Sequence, residues 1–155
     1  MMLKTHLAFA LLCWITVSAA LPDTVSRILV GLSLVLLASV VPDIDSHKSF
    51  VGRLARPLSD VIEGFAQHRG VLHSMLLPSA ACFALIIAGY KQLAFPLFLG
   101  YCSHIIADAL TSEGVAPFSP ISGLRIHGLF STGGLLEYVV FVSLVVVNGA
   151  LLLGL

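Results

Sequence analysis

Residues 93–110, LAFPLFLGYCSHIIADAL, decide how the rest of the chain is read. The run is nearly long and apolar enough to cross a bilayer, which takes ~20 mostly apolar residues at ~1.5 Å rise each. It nevertheless ends on His104 and Asp108. Four positions apart on a helix, those side chains share one face, one turn from each other. Ionisable groups at membrane depth are expensive and mark a function by default, so their partners are to be sought elsewhere in the chain.

Composition agrees with a membrane setting. The 155 residues are 58% hydrophobic and 10% charged, with a mean hydropathy of +1.04. A soluble domain carries ~25% charged residues, so too few remain here to cover a water-facing surface. Net charge is zero without a basic run, which excludes a nucleic-acid footprint. Cys13, Cys82 and Cys102 lie in apolar stretches without metal-type spacing and read as small buried residues. The length suits one domain, 1–155.

The expected fold is all-α: an integral membrane bundle of about five transmembrane helices plus one amphipathic interfacial helix. The spans run from about Leu3 to Leu21, Thr24 to Val41, Val71 to Tyr90, Leu93 to Leu110 and Leu135 to Leu155. Lys4, the apolar run behind it and Ser18-Ala19-Ala20 imitate a cleaved leader, but the next apolar run follows at once, so five spans are expected rather than four. With the N-terminus inside, Lys4, Lys48, Arg53, Arg56, Arg69 and Arg125 are cytoplasmic and only Arg27 and Lys91 face out. That imbalance favours N-in, C-out. In the polar stretch 43–70, Val51, Leu54, Leu58, Val61, Ile62 and Phe65 recur at helical spacing opposite Arg53, Arg56, Asp60 and Glu63. They predict a surface helix, broken near Pro57. The Gly-, Pro- and Ser-rich stretch 111–134 reads as an ordered loop.

Alternating spans put His6, Asp43, Asp45, His68, His73, His104, Asp108 and Glu137 at one membrane face, the expected cytoplasmic one. Scattered residues would have fallen on both. Singly, each histidine reads more simply as a hydrogen-bonded interfacial residue; as a set they read as a site for a divalent metal. Imidazole and carboxylate suit zinc, manganese or iron, and the lack of a nearby cysteine argues against a thiolate site. His47 and His127 fit solvated loops.

At these residues the chain resembles a family of inner-membrane-associated metal-dependent hydrolases labelled LexA-binding. The matching pieces are His6, Pro42-Asp43-Ile44-Asp45-Ser46, His68-Arg69-Gly70-Val71-Leu72-His73-Ser74, His104-Ile105-Ile106-Ala107-Asp108 and the segment Gly114 to Pro120. More distantly it is similar to zinc-dependent phospholipases C and single-strand zinc nucleases. Those use, in order, a histidine, an aspartate, a histidine and an H-x-x-x-D pair. Here the matching positions are His6, Asp43, His68 or His73, His104 and Asp108, with Thr111 also fitting. Gly114 stands where they place a further zinc histidine, and their later H-x-x-x-E pair is missing, leaving Glu137 as a lone candidate. Nor is their ligating N-terminal residue expected here, since His6 follows an uncleaved start. The resemblance therefore implies one or two ions rather than three.

Metal-assisted hydrolysis is the implied chemistry. Asp45 is the candidate general base or orienting partner of a histidine. Arg69 either holds an anionic substrate oxygen or anchors a lipid headgroup. A site at the lipid boundary favours an amphiphilic ester, and the distant likeness a phosphodiester, with membrane lipids as surroundings. A transporter would place its polar groups at the midplane of paired repeats, which five unequal spans fit badly. A membrane adaptor with a structural metal is the alternative to an enzyme.

Overall fold

The computed structural model describes residues 1–21, 24–45, 49–54, 56 and 71–154. Six α-helices are described: α1 (Leu3–Ser18), α2 (Val25–Ala38), the short α3 (Phe50–Leu54), α4 (Leu76–Ile87), α5 (Lys91–Ala109) and α6 (Leu135–Leu153). Two 3-10 turns, Val41–Asp45 and Val71–His73, follow α2 and precede α4. The architecture is all-helical; the described residues hold no strand, only the isolated bridges Thr111–Phe130 and Val115–Ile126, which order the 111–134 loop.

Helix α5 is the axis of the bundle: α1, α2 and α4 each pack against it, while α6 covers α1 from the far side. Ala10, Trp14 and Val35 form one apolar core, with Leu32, Leu36 and Leu99 against it; Tyr101, Ile105 and Val115 form a second. The usual burial order is inverted. The largest fully buried side chains begin with His6, His73, His104 and Glu137, whereas Phe83, Ile87, Leu135 and Leu152 are two-thirds exposed or more. A water-soluble chain buries its large apolar residues and exposes its charges. Lipid as the outer solvent accounts for the reversal, because hydrocarbon places no cost on exposed leucine.

Two of the five expected spans meet the length and apolarity needed to cross a membrane, Val25–Asp45 and Leu135–Leu153. The other three fall short for identifiable reasons. α1 has 16 residues and α4 has 12, about 24 and 18 Å at helical rise against a ~30 Å hydrocarbon core. α5 has 19 residues, but Lys91, Gln92, His104 and Asp108 dilute its apolarity. The surface helix expected within 43–70 is described only as far as Phe50–Leu54; residues 57–70 lie outside the described residues.

Candidate metal centre

The site begins with a glycine. A Cβ on Gly100 would lie 2.2 Å from the carbonyl oxygen of Val35, so α5 crosses α2 this closely only because that position has no side chain. One turn further on, His104 reaches the end of α2, where the last carbonyls of a helix lack helical donors. Its Nδ1–H donates to the Ser39 carbonyl at 2.7 Å. The chain then turns through Val41–Asp45, presenting Asp43 and Asp45. His73 arrives on the 3-10 turn before α4, and its Nδ1 lies 3.1 Å from Asp45 Oδ2.

His6 comes from the second turn of α1 and stacks on His104, with ring centroids 3.8 Å apart and planes 5° from parallel. Helix α1 is tied down around it by α6. Glu137 accepts the Met2 N–H at 2.6 Å and the Gly133 N–H at 2.7 Å, and Asn148 Nδ2 donates to the Ala8 carbonyl at 2.9 Å. Asp108 lies at the centre. Its Oδ1 is 3.3 Å from His6 Nε2 and also contacts the Met1 amino group. Its Oδ2 is 3.5 Å from His73 Nε2 and 3.7 Å from His104 Nε2. Asp43 Oδ1 stands 3.8 Å from His104 Nε2; its side chain is 16% exposed, against at most 1% for His104 and Asp108.

The hydrogen bonds fix the chemistry. A carbonyl and a carboxylate can only accept, so both rings carry hydrogen on Nδ1, and their neutral forms offer Nε2 lone pairs. Those two Nε2 atoms face each other at 3.3 Å, beside the Asp108 carboxylate. Such an arrangement is repulsive without a cation among the atoms. A proton shared by His73 and His104 would satisfy that pair alone. It would leave Asp43 Oδ1 facing the same space, and the Nε2 of buried His6 in contact with Asp108 Oδ1 at 3.3 Å without a well-directed hydrogen bond. Two overlapping sets have ligand atoms close enough for one ion each: His6, Asp43 and His104, and His73, His104 and Asp108. With Nδ1 donating to Ser39, His104 has one nitrogen to give and could serve only a single ion. Asp108 has one oxygen toward His6 and the other toward His73 and His104, so it would be a ligand on either side.

Of the candidates read from the sequence, His6, Asp43, His73, His104 and Asp108 come together, with Asp45 behind His73. His68, Arg69 and His47 lie outside the described residues. Glu137 bonds the chain at the start of α1 and just before α6, and is in neither of the two ligand sets. His127 is exposed, with Nδ1 3.2 Å from the Ser112 carbonyl. Gly114 has φ +65°, and a Cβ there would lie 2.3 Å from the Ile126 carbonyl oxygen, so this loop has no room for the histidine of the zinc enzymes. Sequence reasoning missed the Ser39 carbonyl and the Met1 amino group, which are backbone groups without a residue-type signal.

Comparison with known proteins places the chain. It matches the family described as YdjM inner membrane protein over residues 1–153. It is 39% identical over 90 residues to the inner membrane protein YdjM of Escherichia coli (strain K12), covering 52% of this chain and 44% of that one, and equally to YdjM of Shigella flexneri. The aligned chain thus spans less than half the length of these relatives. It is 30% identical over 112 residues to YvsG of Bacillus subtilis (strain 168), covering 70% of this chain and 69% of that protein. No solved structure matches. The family match runs through every helix and every residue of the polar cluster described above, and the chain belongs to the YdjM inner membrane protein family, with the membrane as its location.

Proposed function

We propose that the chain is a membrane-embedded metal-dependent hydrolase that cleaves an ester, above all a phosphoester, in an amphiphilic substrate. One observation carries the reading: imidazole nitrogens held as facing lone pairs around a central carboxylate. The ligands are His6, Asp43, His73, His104 and Asp108, an all-N,O set suited to zinc, or to manganese or iron. A bound ion would polarise the ester oxygen and make water at the site acidic enough to ionise near neutral pH.

The chain's own groups do the rest. Ser39 and Asp45 hold His104 and His73 in the tautomer that presents Nε2. Asp43, the partly exposed member of the cluster, marks the side from which a headgroup reaches it. Arg69 is assigned to an anionic substrate oxygen by the resemblance of its motif. In this reading α1, α2, α4, α5 and α6 all cross the bilayer, with short helices matched by local thinning. The N-terminus and the site are cytoplasmic, as the distribution of basic residues favours.

Nearly complete burial of His6, His73, His104 and Asp108 favours a second reading, a closed structural metal in a non-catalytic membrane adaptor. The experiment that separates them combines metal analysis with turnover. Detergent-purified protein is expected to carry a divalent ion that His104→Ala loses, and to hydrolyse one class among phospholipids, lipid phosphates and neutral esters. Metal-loaded protein that turns over none of them leaves the adaptor reading. Metal-free protein that cannot be loaded sinks both.

A further inference from the structure

Helices α2 and α4 both pack on α5, and among the described residues they hardly touch each other. Two helices so placed leave a groove over the third, here a cavity of about 330 Å³ whose lining includes the small buried side chains of Ala38 and Ala94. Its walls are apolar. Of the side chains lining it, only those of Cys82 and Tyr101 carry a heteroatom, and the Tyr101 hydroxyl already donates to the Leu72 carbonyl. The groove has a direction: Val41, Leu77 and Tyr101 line it where α2 ends and α4 begins, Leu85 and Ala94 where α4 ends and α5 begins. The first of these ends joins the polar cluster through three elements. Val41 opens the turn that carries Asp43 two residues on. Ala38 precedes Ser39, whose carbonyl fixes His104. Tyr101 stands one turn before His104 on α5 and is bonded to the residue that precedes His73.

We infer that this groove seats one acyl chain of a phospholipid substrate while the headgroup lies at Asp43. The inference rests on the hydrolase reading and names its substrate by shape, a phosphoester joined to a long hydrocarbon chain. Orientation argues for it. A lipid in the leaflet nearest the cluster holds its headgroup at the level of the cluster and its tail toward the midplane, and the groove runs the same way. Size argues for a single chain. The groove follows α5 from Ala94 to Tyr101, ~10 Å at helical rise, whereas a docked helix would be ~10–12 Å across and needs far more room than this volume. Hydrocarbon gains little by leaving lipid for an apolar groove. The seat therefore orients the ester more than it attracts the lipid.

The test reads the seat and the turnover separately. The full chain is reconstituted in phosphatidylglycerol vesicles doped with a phosphatidylglycerol carrying a diazirine in mid-chain, illuminated, and mapped by peptide mass spectrometry. Adducts on Leu85 and Leu97 should outnumber, several-fold, those on Leu152, which is 67% exposed on α6. Cys82→Trp, which fills the groove, should remove that excess and leave the Leu152 adducts in place. Ala81→Trp, at an exposed position of the lining, repeats the test where Cys82→Trp does not fold. On metal-loaded protein the filled groove should lower kcat/KM for a long-chain phospholipid by on the order of tenfold or more, with a water-soluble dibutyryl analogue unaffected. Groove adducts no denser than those on α6 overturn the inference, as does equal slowing of both substrates by Cys82→Trp. A high yield of Cys82–Cys82 disulfide between copies under copper-phenanthroline would put a second chain in the groove and overturn it too. Absence of turnover for both substrates instead sinks the hydrolase reading on which the inference rests.

Discussion

Helix α5 starts at Lys91 in an apolar cleft with cations at its mouth and ends at Asp108, sealed among three imidazoles. Helix α2 runs the same way, from Arg27 at the cleft to the Ser39 carbonyl and Asp43 at the cluster. The two ends solve opposite problems. Among the described residues, the cluster end gathers imidazole lone pairs and a carboxylate beside the Met1 amino group, whereas the cleft end carries Arg27 and Lys91 along an apolar wall. A bilayer rewards neither for burial alone, since unpaired ionisable groups cost several kcal/mol at membrane depth. The cluster end, with imidazole lone pairs gathered around one carboxylate, is the end whose chemistry suits a cation. What holds the two ends in one molecule is the close packing of small residues between them, Ala10 and Gly31 at the Trp14 level and Gly100 at Val35.

The largest effect should come from Asp108→Asn, which converts the central carboxylate into an amide with one acceptor. It removes charge facing His6, His73 and His104 together, so most bound metal should be lost, as read by elemental analysis of the purified protein. Fluorescence of Trp14, the single tryptophan of the chain, should not change at the other end. If it changes with the metal, the ends are not independent and the comparison fails.

A smaller effect is expected from Asp45→Asn. Asp45 touches the site only through His73 Nδ1, at 3.1 Å. Orienting partners of this kind contribute roughly 10–100-fold in metal affinity. Competition with a chelator should give a loss in that range, with full occupancy recovered at high metal. Loss as complete as for Asp108→Asn would make Asp45 a ligand.

The cluster was more legible in the sequence than the spans. His104 and Asp108 announce themselves by spacing, and alternation of apolar runs brings His6, Asp43 and His73 to their end of the bundle. Between His68 and His73 the pattern alone could not choose, because both precede the same helix; the described residues contain only His73, at the cluster. The Ser39 carbonyl and the Gly100–Val35 contact were not legible, since main-chain groups and absent side chains carry no compositional mark. Glu137 was left open for a related reason: an acidic residue in the first turn of a helix can cap backbone amides as readily as meet a metal, and here it bonds Met2 and Gly133. Apolarity pointed to five spans where two helices are both long and apolar enough, because a run can be apolar and still be a short helix, as α4 is with 12 residues.

The smallest effect tests the seam between the two ends. Asn148 donates to the Ala8 carbonyl at 2.9 Å, two residues beyond His6 on the way to Trp14, while its own Oδ1 has no partner among the described residues. Hydrogen bonds between membrane helices average ~0.6 kcal/mol by double-mutant cycle. Asn148→Leu removes that bond but also removes a buried acceptor without a donor, and these changes oppose each other. The Ala8 carbonyl keeps its helical donor, so nothing is newly orphaned on α1. Stability in detergent should therefore shift by less than ~1 kcal/mol, measured by reversible denaturation, with metal content and Trp14 fluorescence both retained. A loss of metal in this variant would mean that the Asn148–Ala8 bond itself helps to position His6. Retention would leave Glu137, bonded to Met2 at the amino end of α1, as the group that holds His6 in place.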